Sequence, residues 1–176
     1  MYRSIKIFVI VIISSSFSFC QENSVDRLKL NEVLLEFAES IKQKDSIGFK
    51  KLFFDEQVSF IGIMSKDTEM SIKKDYPDFQ GIAVSNSTKF IEDICKTEKM
   101  QEENFYNINI ETDRNISSIS FDYSFYSDTS MMQWGHEKWN LVYVDDKWLI
   151  TDVIYSIHFP DVESFPYNDK SEKGKE

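Results

Sequence analysis

Hydrophobic positions recur at helical spacing in the first half of the chain and at every second position in the last third. Leu30, Val33, Leu34, Phe37 and Ile41 fall at i, i+3, i+4, i+7 and i+11, the apolar face of an amphipathic helix with Ser24 as its N-cap. Asp45-Ser46 opens a second, short helix with Ile47, Leu52 and Phe53 as its apolar contacts. Val58 to Met64 reads as a strand. Ser65 to Ser85 holds Pro77 and Gly81 without clear periodicity and reads as a long loop, with room for a short irregular element. Ser87 caps another helix, running to about Lys96.

From Glu103 the period becomes two. Tyr106, Ile108 and Ile110 alternate with Asn107, Asn109 and Glu111, and Ile119, Phe121, Tyr123 and Phe125 alternate with Ser118, Ser120, Asp122 and Ser124. Pairing across an Arg114-Asn115 turn sets Ile110 against Ile119, Ile108 against Phe121 and Tyr106 against Tyr123, apolar on apolar. After a Thr129–Gly135 connection, a second hairpin spans His136 to Phe159 and turns at Asp145-Asp146. Its register sets Tyr143 against Trp148, Leu141 against Ile150, Trp139 against Asp152 and His136 against Tyr155. Helices first and strands last predict an α+β fold, with the helices packed on one face of a mainly antiparallel sheet. Residues 21–160 form the expected single domain, and the polar stretch 161–176 is expected to be a disordered tail.

Residues 1–20 change this picture at the N-terminus. Arg3 and Lys6 precede the apolar run Ile7–Ile13 and a Ser/Phe stretch ending at Cys20, a secretory signal pattern. Export to a periplasm or the extracellular space is the expectation, with cleavage between Cys20 and Gln21. Lipid attachment at Cys20 is the alternative, against which Phe19 is bulky for a lipoprotein signal. The apolar run is too short to span a bilayer, so the mature chain is expected to carry no transmembrane segment. Net charge is −10; removing Arg3 and Lys6 leaves 18 basic against 30 acidic residues, or −12. Such acidity argues against nucleic acid as a partner. Cys95 would remain as a single thiol. Its helical spacing from Ile91 and Ile94 predicts burial.

The order of elements, the Trp139-x-Leu141 strand and the closing Asp146-Lys147-Trp148-Leu149-Ile150 resemble the nuclear-transport-factor-two-like superfamily, also called SnoaL-like or ketosteroid-isomerase-like. The resemblance covers residues 25–159. It implies a cone: a strongly curved sheet wrapped around the first helices, with a pocket inside. Members include isomerases, dehydratases, polyketide cyclases and domains without catalysis, so the fold does not by itself assign an activity.

Asp152 is the sharpest candidate for chemistry, because the register places it among Trp139, Leu141, Tyr143, Trp148 and Ile150, where a carboxyl is driven toward general acid or base work. Tyr106 and Tyr123, paired on the inner face, are candidate hydrogen-bond donors to a ligand carbonyl. Tyr106, Tyr123, Trp139, Tyr143 and Asp152 are thus the candidate ligand-binding residues. Each has a plainer role as core or rim. His136 and His158 have no metal-ligand spacing to a second His, Cys or carboxylate, so no metal and no cofactor is expected. Met131, Met132 and Trp134 occupy the connection between the hairpins, as a lid, a dimer contact or core cover. Three functions follow: a non-catalytic domain binding a small, partly apolar molecule or acting as an interaction module; an isomerase- or dehydratase-type enzyme using Asp152 as base with Tyr123 or Tyr106 as donor; and a homodimeric structural module.

Overall fold

The computed structural model describes residues 13–167, with side chains from Val25 onward. The predicted cleavage point and Cys20 precede the described side chains, and residues 168–176 lie outside the described part. Four helices and six strands follow in the order α1 (Ile13–Gln43), α2 (Ser46–Lys50), β1 (Ser59–Met64), α3 (Lys66–Lys73), β2 (Ile82–Asn86), α4 (Ser87–Lys96), β3 (Gln101–Thr112), β4 (Ile116–Ser127), β5 (Ser130–Val144) and β6 (Lys147–Ile157). The strands form one curved, unclosed sheet in the order β2-β1-β6-β5-β4-β3. All pairings are antiparallel except β1 with β6. This is the expected α+β cone, wrapped around α1, α2 and α4.

The helical face read from the sequence is the buried one. Leu30, Val33, Leu34, Phe37 and Ile41 all lie in the core. Phe37 is its hub, with ring centroids 4.6 Å from Trp139, 4.9 Å from Phe49 and 6.3 Å from Phe90 and Phe105. Ser24 is not a cap, because α1 already runs through it from Ile13. Asp45 does cap α2, accepting from the backbone N–H groups of Ile47 and Gly48. Phe49 takes the buried position in α2, and Ile47 faces solvent. The segment 65–85 is not a plain loop: Ser65 caps α3, and β2 supplies an edge strand paired to β1. Asn86, one residue before Ser87, caps α4. Cys95 is exposed, on the flank next to the buried Ile94, and its thiol donates to the Lys44 carbonyl at 3.3 Å.

β3 to β6 form an unbroken meander. The expected connection 129–135 is mostly strand, because Asp128-Thr129 turns the chain directly between Ser127 and Ser130. At the last hairpin Asp145 (φ 50°) and Asp146 (φ 63°) both take the left-handed conformation, a two-residue turn whose twist matches the flanking strands. Tyr143 pairs with Trp148 and Leu141 with Ile150 as expected. A bulge then inserts Thr151, so that Asn140 pairs with Asp152, Trp139 with Val153 and Glu137, not His136, with Tyr155. A second bulge lies in β3. Ile110 pairs with Ile119 as expected, but Asn107 turns left-handed at φ 52° and shifts the register, so that Tyr106 pairs with Asp122 and Phe105 with Tyr123. Each extra residue swaps the faces of the strand beyond it.

Past Pro160, residues 161–167 pack against the sheet. Residues 159–167 strap the outer sheet face. The Trp134 indole donates to the Glu163 carbonyl at 3.0 Å, and Tyr167 stacks on Tyr106 at 5.3 Å. The Glu163 carboxylate accepts from Ser65 and from Thr68. Trp134, read from the sequence as lid, dimer contact or core cover, also stacks on His158 at 4.1 Å and holds the strap.

Candidate functional site

Inside the cone remains a small cavity of about 30 Å³, space for one or two water molecules. β3 brings Glu103 to it, β4 Tyr123 and Phe125, β5 Gln133 and Glu137, β6 Val153 and Tyr155, while Phe37, Phe60 and Phe90 close it from α1, β1 and α4. Two carboxyl groups therefore meet among phenylalanine rings. Glu103 is 7% exposed and Glu137 4%.

Period-two alternation places Glu137 beside Trp139 on one face of β5. The Trp139 indole N–H donates to Glu137 Oε1 at 2.5 Å. Burial pushes the Glu137 carboxyl up to about 8, and the indole bond pulls in the opposite direction. Glu103 has no hydrogen-bond partner among the described residues. Burial, and then the neighbouring Glu137 charge, hold it well above the ordinary carboxylate range. Tyr155 is driven up to about 12, by burial first and then by the two glutamates. Tyr123 is pushed well up by the same causes, and its hydroxyl donates to the Ser156 carbonyl at 2.9 Å. Burial thus drives both carboxyls toward their protonated forms, a direction of shift that sites of acid–base work share.

Of the candidates read from the sequence, Tyr123 alone lines this cavity. Trp139 is fully buried behind it and reaches it only through its bond to Glu137. Tyr143 lies toward the other end of β5, packed on Trp148 at 5.1 Å and accepting a hydrogen bond from Lys29 Nζ at 2.8 Å. Asp152 is on the opposite face from Trp139, because of the Thr151 bulge. Its two carboxylate oxygens accept from the Asn140 amide at 3.0 Å each. The apolar surroundings that made it a candidate base belong to Val153. Tyr106 is likewise on the outer face, 3.2 Å from Ser124 Oγ and under the strap. Glu103 and Glu137 were not singled out from the sequence. For Glu137 the signal was present, since it stands two residues before Trp139. For Glu103 it was hidden by the bulge at Asn107.

A second polar cluster sits on the outer face. Asp122 accepts from Tyr167 at 2.5 Å and from Asn107 at 2.8 Å, and lies 2.9 Å from His136 Nδ1; the Tyr167 bond is the leading cause that draws its carboxyl down, against the opposing effect of burial. These groups satisfy one another. A larger, open depression of about 570 Å³ at Ile72–Phe79 is shallow and shares no lining residue with the cavity of the paired glutamates. Among the described residues no three His, Cys, Asp or Glu side chains are placed to hold a metal ion, and no helix is long and apolar enough to cross a membrane.

No protein-family model and no curated protein matches the sequence. Solved structures do match the fold. A protein of unknown function with a cystatin-like fold from Nostoc punctiforme aligns at a TM-score of 0.55 and 14% identity, covering 81% of this chain and 95% of its own. A nuclear transport factor 2-like protein from Salmonella enterica serovar Typhimurium aligns at 0.55 and 16%, over 87% and 99% of the two chains. A protein from Novosphingobium aromaticivorans described as a candidate scytalone dehydratase aligns at 0.58 and 14%, over 80% and 89%. With the curved sheet, the enclosed helices and the interior cavity in place, the chain has the nuclear transport factor 2-like, cystatin-like fold.

Proposed function

We propose that this is an exported domain that binds a small, partly apolar molecule inside the cone, where the ligand meets Glu103 and Glu137. The observation that carries the reading is two buried carboxyl groups facing one cavity, one of them without a hydrogen-bond partner among the described residues. Native proteins seldom leave such groups buried unless a ligand or reaction uses them. Export rests on the basic start and apolar run of residues 1–13. The test is a titration of a small-molecule fragment set into protein carrying carbon-13 at the glutamate carboxyls. Saturable shifts at Glu103 and Glu137 are expected; no shift with any fragment overturns the reading.

A second reading is proton-transfer catalysis of the isomerase or dehydratase type, with the role first given to Asp152 passing to Glu137. The unlike settings of the two carboxyls favour it: Glu137 is held by Trp139, while Glu103 is free to keep its proton. A fold neighbour from Streptomyces avermitilis is likewise described as a candidate dehydratase. Exchange of ketone α-protons into deuterium oxide, faster with wild type than with Glu137→Gln, is its expected signature. Equal rates remove it. A homodimer is supported by the exposed Ile63, Ile82, Val84 and Ile154 on the outer face of β1, β2 and β6. Ultracentrifugation showing a monomer at micromolar concentration would sink that reading.

A further inference from the structure

In the cavity Glu103 and Glu137 meet mainly aromatic side chains, with Gln133 and Val153 completing the wall, and among the described residues no lysine, arginine or histidine lines it. Among the described residues no cation acts on either carboxyl. Burying two acids costs several kcal/mol unless they are neutralised. A carbonyl oxygen satisfies both only while both keep their protons, and it gains nothing from the ring faces. An ammonium group carries three donors and no acceptor, so it donates at once to an ionised carboxyl and to the acceptor oxygen of its protonated neighbour. Its charge is also drawn to the negative faces of aromatic rings. Phe37, Phe60, Phe90 and Phe125 supply those rings beside Glu103 and Glu137.

We propose that the occupant of this cavity is a small organic cation, an alkylammonium ion held between the Glu103 and Glu137 carboxyl groups, one ionised and one protonated, and the surrounding phenylalanine rings. This rests on the pocket reading above and not on catalysis. Size follows from the space: the cavity takes a group of about two heavy atoms, and a longer alkyl tail would enter past the half-buried Phe90 or Phe125. Binding exchanges charge for charge. The ammonium enters with its proton, and the glutamate pair releases one proton to solvent.

Methylammonium chloride titrated into the carbon-13-labelled full chain tests this, against acetone, sodium acetate and sodium chloride. Methylammonium is expected to move the Glu137 carboxyl signal toward its ionised position and to shift the Trp139 indole proton, both saturably. Its affinity should rise about tenfold per pH unit from pH 6 to 7.5, because one proton leaves. Glu137→Gln and Glu103→Gln should each weaken binding at least tenfold while the core aromatic signals stay dispersed. A saturable response to acetone without one to methylammonium overturns the proposal and leaves the pocket reading standing. A response to sodium equal to that of methylammonium, or an affinity flat with pH, also overturns it. Silence from every probe overturns both.

Discussion

The Trp139 indole N–H donates to Glu137 Oε1 from two residues along the same strand, at 2.5 Å and out of contact with water. The bond fixes one carboxyl oxygen and leaves the other to the cavity. It also separates the two glutamates chemically, since Glu103 has no such donor. Trp139→Phe keeps the buried ring and deletes the donor. The Glu137 carboxyl should then titrate higher still, by roughly one to two pH units, the equivalent of about 1.5–3 kcal/mol for a hydrogen bond to a charged group. Carbon-13 NMR of the Glu137 carboxyl against pH measures this directly. An unmoved midpoint would show that the indole does not hold the carboxylate.

Stability should fall as pH rises from 5 to 8. The Glu137 carboxyl is raised in the folded state from the ordinary range near 4.5 to about 8. A raised acid binds its proton more tightly when folded, so its contribution is complete below about 4.5, is lost progressively toward 8, and is flat above. Glu103 acts in the same direction. The effect is on the order of a few kcal/mol. General repulsion in an acidic chain slopes the same way, so the deciding comparison is with Glu137→Gln. Thermal melts at pH 5, 6.5 and 8 should give a shallower slope for the variant than for wild type. Parallel slopes would assign the whole pH effect to surface charge.

The outer strap should detach without disturbing the interior. Its anchor is the Glu163 carboxylate, which accepts from Ser65 and Thr68 and lies 3.1 Å from His158 Nδ1. Glu163→Ala leaves Thr68, fully buried, without this acceptor. A loss of about 1–3 kcal/mol is expected, with faster proteolytic cleavage between residues 159 and 167. Mass spectrometry of limited digests locates the cut. The Glu137 titration should not change, because the strap and the cavity lie on opposite sheet faces.

How much of this was legible in the sequence depends on where strand parity is broken. Helical spacing found every buried apolar position of α1 from Leu30 to Ile41, because a long one-faced helix has no way to slip. Alternation found the registers Tyr143–Trp148, Leu141–Ile150 and Ile110–Ile119, each lying between a turn and the first bulge. Beyond the bulges the same alternation assigned Asp152 and Tyr106 to the wrong face. Nothing in Thr151 marks an inserted residue. Asn107 was the better clue, being a residue type that tolerates a left-handed backbone. α3 and β2 were missed because eight- and five-residue elements carry too few periods to read. The strap was missed because its contacts are aromatic residues scattered through a polar stretch, and they find partners only on the folded sheet.

The Thr151 bulge makes a sharp prediction about Asp152. On the inner face, Asp152→Asn would alter the pocket. On the outer face, the change only replaces a half-exposed carboxylate that accepts from the Asn140 amide and from Thr151 Oγ1. Stability should change by less than about 1 kcal/mol, as for most exposed polar pairs. The Glu103 and Glu137 titrations, and binding of any pocket ligand, should match wild type. Gly135 is the contrasting position. A Cβ there would lie 2.0 Å from the Ser156 carbonyl oxygen, which accepts the Tyr123 hydroxyl. Gly135→Ala should therefore cost about 3 kcal/mol or more, since backbone must move on both strands, and should disturb the cavity through Tyr123. Denaturant unfolding of the two variants side by side checks both. A silent Gly135→Ala together with a damaging Asp152→Asn would reverse the assignment of the two faces of the sheet.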